Sequence, residues 1–284
     1  MRFAFIRRHV QEFTVLVMCR VLGVSRSGYY AWRKRPPSER ERADHELAQL
    51  IRATHERSRG TYGSPRIHAE LQAQGCQVGR KRVARLMRCQ ALVARRRRRF
   101  KVTTHALSGR PVAPNVLKQQ FRAERPNEKW LADITYIPTR EGWLYLAAVQ
   151  DAHSRLIVGW AMDSYLKQDL VLQALRMALR HRHPTSPLLH HSDRGSQYTA
   201  EAYQKLLRAY GITVSMSGTG NCYDNAMMES FFSTLKAECV TGPYNTRQEA
   251  RLSIFEYIEV WYNRQRRHSS LGYVSPLAFE QAAS

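Results

Sequence analysis

The sequence predicts a strongly basic, all-α front region followed by an α/β domain built on one sheet, and three observations carry that reading. Charge is divided sharply: residues 1–129 hold 30 Lys and Arg against 9 Asp and Glu, a net of +21. Residues 130–284 hold 15 against 14, a net of +1, so nearly all of the chain's +22 lies in front. Apolar residues in the front recur at helical spacing. From Trp130 onward, short β-branched and aromatic runs alternate with turns and then with helical segments.

In the front region, Gln11–Arg35 reads as helix, turn and helix. Val15–Met18 and Val21 form the first apolar face, and Ser25 caps a second helix that carries Tyr29, Tyr30 and Trp32 among basic residues. Those aromatics suit a small core or a contact with DNA or a partner, and both readings stay open. Pro36-Pro37 breaks the helix, and Glu39–Arg57 follows as a long amphipathic one. Pro65 suits the first position of a helix Pro65–Gln74; Gly75 ends it, and Val78–Cys89 starts another with Val83, Leu86 and Met87 inward.

This helix-turn-helix exposes Arg80, Lys81, Arg82, Arg85 and Arg88, the side chains expected to meet a DNA groove. Arg95, Arg96, Arg97, Arg98 and Arg99 form a run that cannot fold on its own charge and is expected to touch phosphates without reading sequence. Thr103–Lys129 has three prolines and no clear period, as an extended linker would.

The α/β part begins with a meander of Trp130–Pro138, Trp143–Val149 and Leu156–Met162. Helix Gln168–His183, strand Leu188–His191, helix Ala200–Tyr210 and strand Ile212–Ser217 then alternate. In Gly220–Glu238, Met228, Phe231, Phe232 and Leu235 define a helix with one buried stripe, and Asp224 or Asn225 is a suitable N-cap type. Thr246–Arg264 reads as a closing amphipathic helix that leads into Arg264, Arg266 and Arg267. That basic cluster would grip DNA or bridge to the domain's own acids. The expected segments are thus an N-terminal helical unit (1–35), a basic helix-turn-helix domain (39–94), a basic linker (95–129), an α/β core (130–240) and a C-terminal helix with a basic tail (241–284).

Three acids stand out by context. Asp133 interrupts an apolar strand, Asp193 ends another apolar run just before a Gly turn, and Glu229 falls in the first turn of the helix that follows Asn225. Burying a carboxylate in a strand is unfavourable unless something pairs with it, and a divalent cation does so well. Two strand-borne Asp and one helix-borne Glu make a hard oxygen site suited to Mg²⁺ or Mn²⁺. Lys236 lies seven residues, two helical turns, beyond Glu229 and would hold a phosphate beside such ions. Asp151 and Asp163 read as turn residues, with Asp151 the one alternative ligand; His190, His191 and Gln197 read as structural, with a place beside the active site as the lesser alternative.

The segments WLADITYI (130–137), YLAAVQDAHSRLIVGWAM (145–162), HHSDRGSQYTA (190–200), GITVSMSGTGNCYDNAMMESFFSTLKAE (211–238) and YNRQRRHSSLGYVSP (262–276) occur in order across nearly the whole chain. Together they resemble the OrfB-type product of bacterial insertion sequences, a DDE transposase with an integrase core. The resemblance implies a ribonuclease-H-like (retroviral integrase) catalytic core behind a helix-turn-helix region, with strands one and four parallel neighbours. It also implies catalysis by Asp133, Asp193 and Glu229 with two Mg²⁺ ions, Asp133 bridging them. The implied reaction is 3′-end cleavage and strand transfer on double-stranded DNA, with terminal repeats and target DNA as substrates. A homo-oligomer in the synaptic complex, an OrfA protein or OrfA–OrfB fusion as partner, and a bacterial, cytoplasmic, nucleoid-associated setting follow from the same likeness.

Competing classes find less support. The five cysteines are dispersed with no C-x-x-C pair, which argues against the zinc module of retroviral integrases and fits a reducing compartment. The apolar run Thr14–Met18 is too short to span a bilayer. No Ser-His-Asp arrangement is evident, and Gly218-Thr219-Gly220 lacks the Lys-Ser/Thr of a phosphate-binding loop. A non-catalytic DNA-binding regulator and a structure-selective nuclease are the alternatives to an enzyme that moves DNA.

Overall fold

The computed structural model describes residues 2–95, 113–185, 187–218 and 222–283. Arg96, Arg97, Arg98 and Arg99 lie outside the described residues. Two compact units result, Met1–Ala53 and Thr54–Ser284.

The first unit contains α1 (Arg2–Arg8), α2 (Val15–Val21), α3 (Arg26–Lys34) and most of α4 (Glu39–Arg57). Ser25 caps α3 by accepting the Gly28 N–H at 3.0 Å. Ser38 and Glu41 form a reciprocal capping box at the start of α4: each side chain accepts the other's backbone N–H, at 2.8 and 3.2 Å. Tyr29 is buried with Ile6, Met18 and Cys19, and Trp32 packs on that cluster. The core reading therefore accounts for those two aromatics. Helix α1, which precedes the segment read as helical, supplies Ile6 and Phe3 to the same cluster.

In the second unit, α5 (Ser64–Ala73) and α6 (Arg80–Cys89) pack as a helix-turn-helix around Ile67, Leu71, Val83, Leu86 and Met87. The sheet has strand order β3-β2-β1-β4-β5, with β1 (Lys129–Thr139), β2 (Gly142–Asp151), β3 (Ile157–Asp163), β4 (Leu189–Ser192) and β5 (Thr213–Met216). Strands β1 to β3 form an antiparallel meander, while β4 runs parallel to β1 and β5 parallel to β4. This is the parallel β1–β4 neighbour relation that the family resemblance implies.

Alternation along β1 sends Trp130 and Ala132 into the core beneath α7 (Gln168–Arg182) and α8 (Glu201–Ala209). The opposite face is covered by α9 (Ala226–Glu238) and α10 (Arg247–Phe255), which pack against β1 and β2. Gly159 in β3 is required by close approach: a Cβ there would lie 2.2 Å from the Ala174 carbonyl oxygen of α7.

The closing helix differs from the expectation of one regular helix over Thr246–Arg264. Residues Glu256–Tyr262 wind as a π-helix, followed later by α11 (Pro276–Ala283). Two adjacent pairs, Tyr257-Ile258 and Trp261-Tyr262, are all buried. The wider turn turns both pairs inward, which a regular 3.6-residue stripe does less well.

The expected linker also has more structure than its composition suggested. Leu117 is buried, and the backbone N–H groups of Val116 and Leu117 both donate to the Ser215 hydroxyl of β5, at 2.9 and 3.1 Å. No helix of the described residues is long and apolar enough to cross a membrane.

Candidate active site

The parallel pairing of β1 with β4 aligns Lys129 with Leu189, Trp130 with His190 and Leu131 with His191. Asp133 stands two residues beyond Leu131, and Asp193 two beyond His191, so both reach the carboxyl end of the strand pair at one level. In an α/β sheet that end is where ligands bind, because loops and helix starts open there. Asp133 shares its side of β1 with Leu131, the side facing α9. Helix α9 begins over this spot. Asn225 holds the N-cap position but makes no capping bond; its amide donates instead to the Ala132 carbonyl at 3.2 Å, beside Asp133. Glu229 then falls in the first turn of α9.

The electrostatics bind these groups together. Burial, followed by the negative charges of Asp193 and, more weakly, Glu229, drives the Asp133 carboxyl well above the ordinary carboxylate range. The Ile134 N–H, donated to Asp133 Oδ1 at 2.7 Å, and the Lys236 ammonium oppose that shift. Burial also raises Asp193, offset by the Gly195 N–H at 2.9 Å, and raises Glu229. Lys236 is lowered by burial and raised by Asp133, so it too lies within reach of the acid. Among the described residues, no three His, Cys, Asp or Glu side chains are drawn together as a ready-made metal cage.

The remaining candidates sort by what holds them. His190 donates to or accepts from the Tyr203 hydroxyl at 3.0 Å, and His191 bonds Ser215 and Ser217 at 2.9 and 3.1 Å. Burial lowers them to about 3 and about 4, so both are neutral structural groups. Asp151 is removed from the site: it pairs across from Trp130, at the amino end of β1, and accepts the Asn127 and His153 N–H groups at 2.8 and 2.9 Å. It is not a substitute ligand.

On α6, Arg80, Lys81, Arg85 and Arg88 are exposed and Arg82 is half-buried; Arg95 is exposed after the helix, and Arg264 is exposed near the C-terminus. Arg266 corrects the expectation of a DNA contact. It is 2% exposed and bonds Glu238 through Nε at 2.8 Å and a terminal nitrogen at 2.6 Å, because α9 ends in that acid directly beneath it. Arg267 is half-buried and reaches Glu70 at 2.5 Å. For these two, bridging to the domain's own acids describes the molecule.

Two positions escaped the sequence reading. In sequence Asp224 offers only a cap type, yet it accepts from Asn115 at 2.8 Å, Gln119 at 3.1 Å and the Gly218 N–H at 2.8 Å, clamping the residue 113–119 segment to the approach of α9. Asn225 offers the same. Neither role has a signal in spacing, since apart from Gly218, six residues before Asp224, every partner is distant in sequence.

Residues 123–222 and 210–276 match two families described as integrase core domain, and residues 41–100 match the HTH-like domain. The chain is 49% identical over 265 residues, 93% of its length and 97% of the relative's, to the "Insertion element IS600 uncharacterized 31 kDa protein" of Shigella sonnei. It is 44% identical over 283 residues, 99% of its length and 98% of the relative's, to "Transposase InsF for insertion sequence IS3fB" of Escherichia coli (strain K12). The chain belongs to the IS3-type insertion-sequence transposases. This transposase is a DDE-class polynucleotidyl transferase with an integrase-type, ribonuclease-H-like core behind a helix-turn-helix region. The HTLV-2 integrase catalytic core solved in complex with magnesium is also similar, with a TM-score of 0.41 and 16% identity over 56% of this chain and 99% of that one.

Proposed function

We propose that the transposase cleaves the 3′ ends of a bacterial insertion sequence and joins them to new DNA, using Asp133, Asp193 and Glu229 as its catalytic carboxylates. The observation that carries this reading is the convergence of β1, the end of β4 and the first turn of α9, where the charges of Asp193 and Glu229 both bear on Asp133. The three groups offer only hard oxygen donors, and burial disfavours the ionised form of each. Such a set fits two Mg²⁺ or Mn²⁺ ions. When bound, the ions would activate the attacking oxygen and neutralise charge on the leaving oxygen.

The chain's own residues supply position. The bond from Asn225 to the Ala132 carbonyl fixes the start of α9, and so the height of Glu229 over β1. Lys236, farther along α9, would hold a phosphate oxygen of the scissile strand. The exposed basic residues of α6, with Arg264, would track the duplex backbone. Joining two ends calls for at least two copies in the synaptic complex, and an OrfA product would add end recognition.

The test is incubation with labelled terminal repeats and Mg²⁺. Nicked and joined products are expected from the wild type, and Asp193→Asn should form none while binding ends within about threefold of wild type. Binding without any product from the wild type would favour a regulator acting by occupancy, and loss of binding in the variant would make Asp193 structural.

A further inference from the structure

Three aromatic side chains stand in solvent on the rim of the sheet that carries the acids. Tyr136 is 38% exposed, Trp143 53% and Tyr165 64%. Single exposed aromatics are ordinary, but three gathered at one edge call for an explanation. Strand register gathers them: Tyr136 pairs with Tyr145, Pro138 with Trp143, and Tyr145 with Asp163, two residues before Tyr165.

The rings are braced. Tyr136 meets Trp143 edge-on at 6.1 Å and Tyr145 edge-on at 5.2 Å, and Tyr145 is rooted in the core beneath α7. The platform also borders the acids, since the charges of Asp193 and Asp133 both reach the Tyr136 phenol. From the other side, Gln197, in the turn after Asp193, donates to the Leu166 carbonyl at 3.4 Å and draws the Tyr165 segment to the same rim. There the Lys167 ammonium lies 5.1 Å from the Tyr165 ring centre.

Flat apolar faces with a cation beside them, next to a site that handles a phosphate, suit one ligand in particular. Nucleobases stack on aromatic side chains whatever their sequence, and paired bases do not expose the faces needed. Tyr136 and Trp143 stand on the α7 face of the sheet and Asp133 on the α9 face, so a strand leaving the acids would pass round the carboxyl end of β4 to reach them. Along β1, Tyr136 lies three residues beyond Asp133 and the Pro138–Trp143 pair five, an advance of about 10 and 17 Å at the rise of a strand. At about 3.4 Å per base step that is roughly three to five nucleotides. We infer that Tyr136 and Trp143 form a stacking platform for unpaired nucleobases of the strand whose phosphate is held at the acids. The platform holds the end melted next to the reacting phosphodiester, and it rests on the function proposed above.

Two assays test it. Strand transfer is compared on fully paired ends and on ends mismatched over the five pairs flanking the scissile phosphate. Trp143→Ala should lose about tenfold on paired ends and come within about twofold of wild type on mismatched ends, with Trp143→Phe near wild type on both. Equal loss on both ends, or no loss on either, would overturn the platform. The second assay needs no catalysis: metal-free anisotropy with a labelled 15-mer of thymidylate and a duplex of the same length. Trp143→Ala should weaken the single strand about fivefold and the duplex less than twofold. Equal affinities would overturn the inference even if the wild type cuts nothing, and a change in oligomeric state with unchanged DNA affinity would assign the rim to a second copy. Circular dichroism of Trp143→Ala against wild type separates a folding defect from each of these outcomes, and Tyr136→Leu repeats both assays should Trp143→Ala fail to fold.

Discussion

The two ends of α9 treat buried acids in opposite ways. At its carboxyl end Glu238 is enclosed by Arg266, the Tyr257 hydroxyl and the Trp261 indole, and despite burial its carboxyl is held below the ordinary range. At its amino end the charge of Glu229, with that of Asp193, bears on Asp133, where burial and like charge push the carboxyl well up. A buried acid with an arginine on it is a fastener between elements. A buried acid on which the charges of other acids bear is held in an unfavourable state that a bound cation would relieve, and on the function proposed above that end of α9 is the site. Asp151 clarifies the rule: burial raises it as well, but two backbone N–H groups and Arg182 oppose that shift, and Arg182 in turn holds Glu280.

The comparison can be broken most sharply by removing one acid from each end. Asp133→Asn should lower strand transfer by at least about 10³-fold. In metal-free protein the same change should leave stability unchanged or raise it by about 1 kcal/mol, since it removes like-charge repulsion at a partly accessible site. Glu238→Gln should instead cost about 3–5 kcal/mol by leaving Arg266 buried without its partner. Thermal denaturation of the two variants reads both stabilities, and a destabilised Asp133→Asn would place that acid among the fasteners.

Gly159→Ala should follow at about 1–3 kcal/mol, because α7 must move off β3 to make room. Chemical denaturation measures it, and a loss no larger than that of a surface substitution would mean that α7 does not seat on β3 so closely.

The pH response sharpens the contrast. Glu238 has a lowered folded pKa, so its contribution is present above the unfolded value of 4.5 and is lost as pH falls through the folded one. Asp133 has a raised folded pKa, so the metal-free protein binds more protons folded than unfolded between 3.8 and that value. Its contribution therefore declines as pH rises through this window. Melting temperatures from pH 4 to 8 should show that decline in wild type and a smaller one in Asp133→Asn. Adding Mg²⁺ near pH 7 should raise the melting temperature of wild type and not of the variant.

The smallest effect is expected on the surface. Arg264→Ala should leave stability within about 0.5 kcal/mol of wild type and lessen the salt dependence of DNA binding by about one unit of slope. Titrations from 50 to 200 mM salt read the slope, and an unchanged value would take Arg264 off the DNA.

Much of this was legible in one dimension. Strand and helix order, the cap at Ser25, the helix Glu39–Arg57 and the parallel placement of Asp133 against Asp193 follow from local pattern or from the family likeness. What stayed hidden depended on partners far along the chain. Arg266 and Arg264 sit two residues apart in one basic cluster, yet one is buried on Glu238 and the other is in solvent. The π-helix, the pinning of residues 113–119 by Ser215 and Asp224, and the bond from Asn225 to Ala132 are likewise settled by packing.

By itself, then, the sequence determined where charge accumulates, the order of the main helices and strands, and which three acids lie in unusual apolar surroundings, since each of these is a property of near neighbours. Only the tertiary structure decided which charges face one another. Electrostatic energy depends on separation and burial in space, and two arginines with the same local context acquire different roles once one of them is enclosed beneath a helix end.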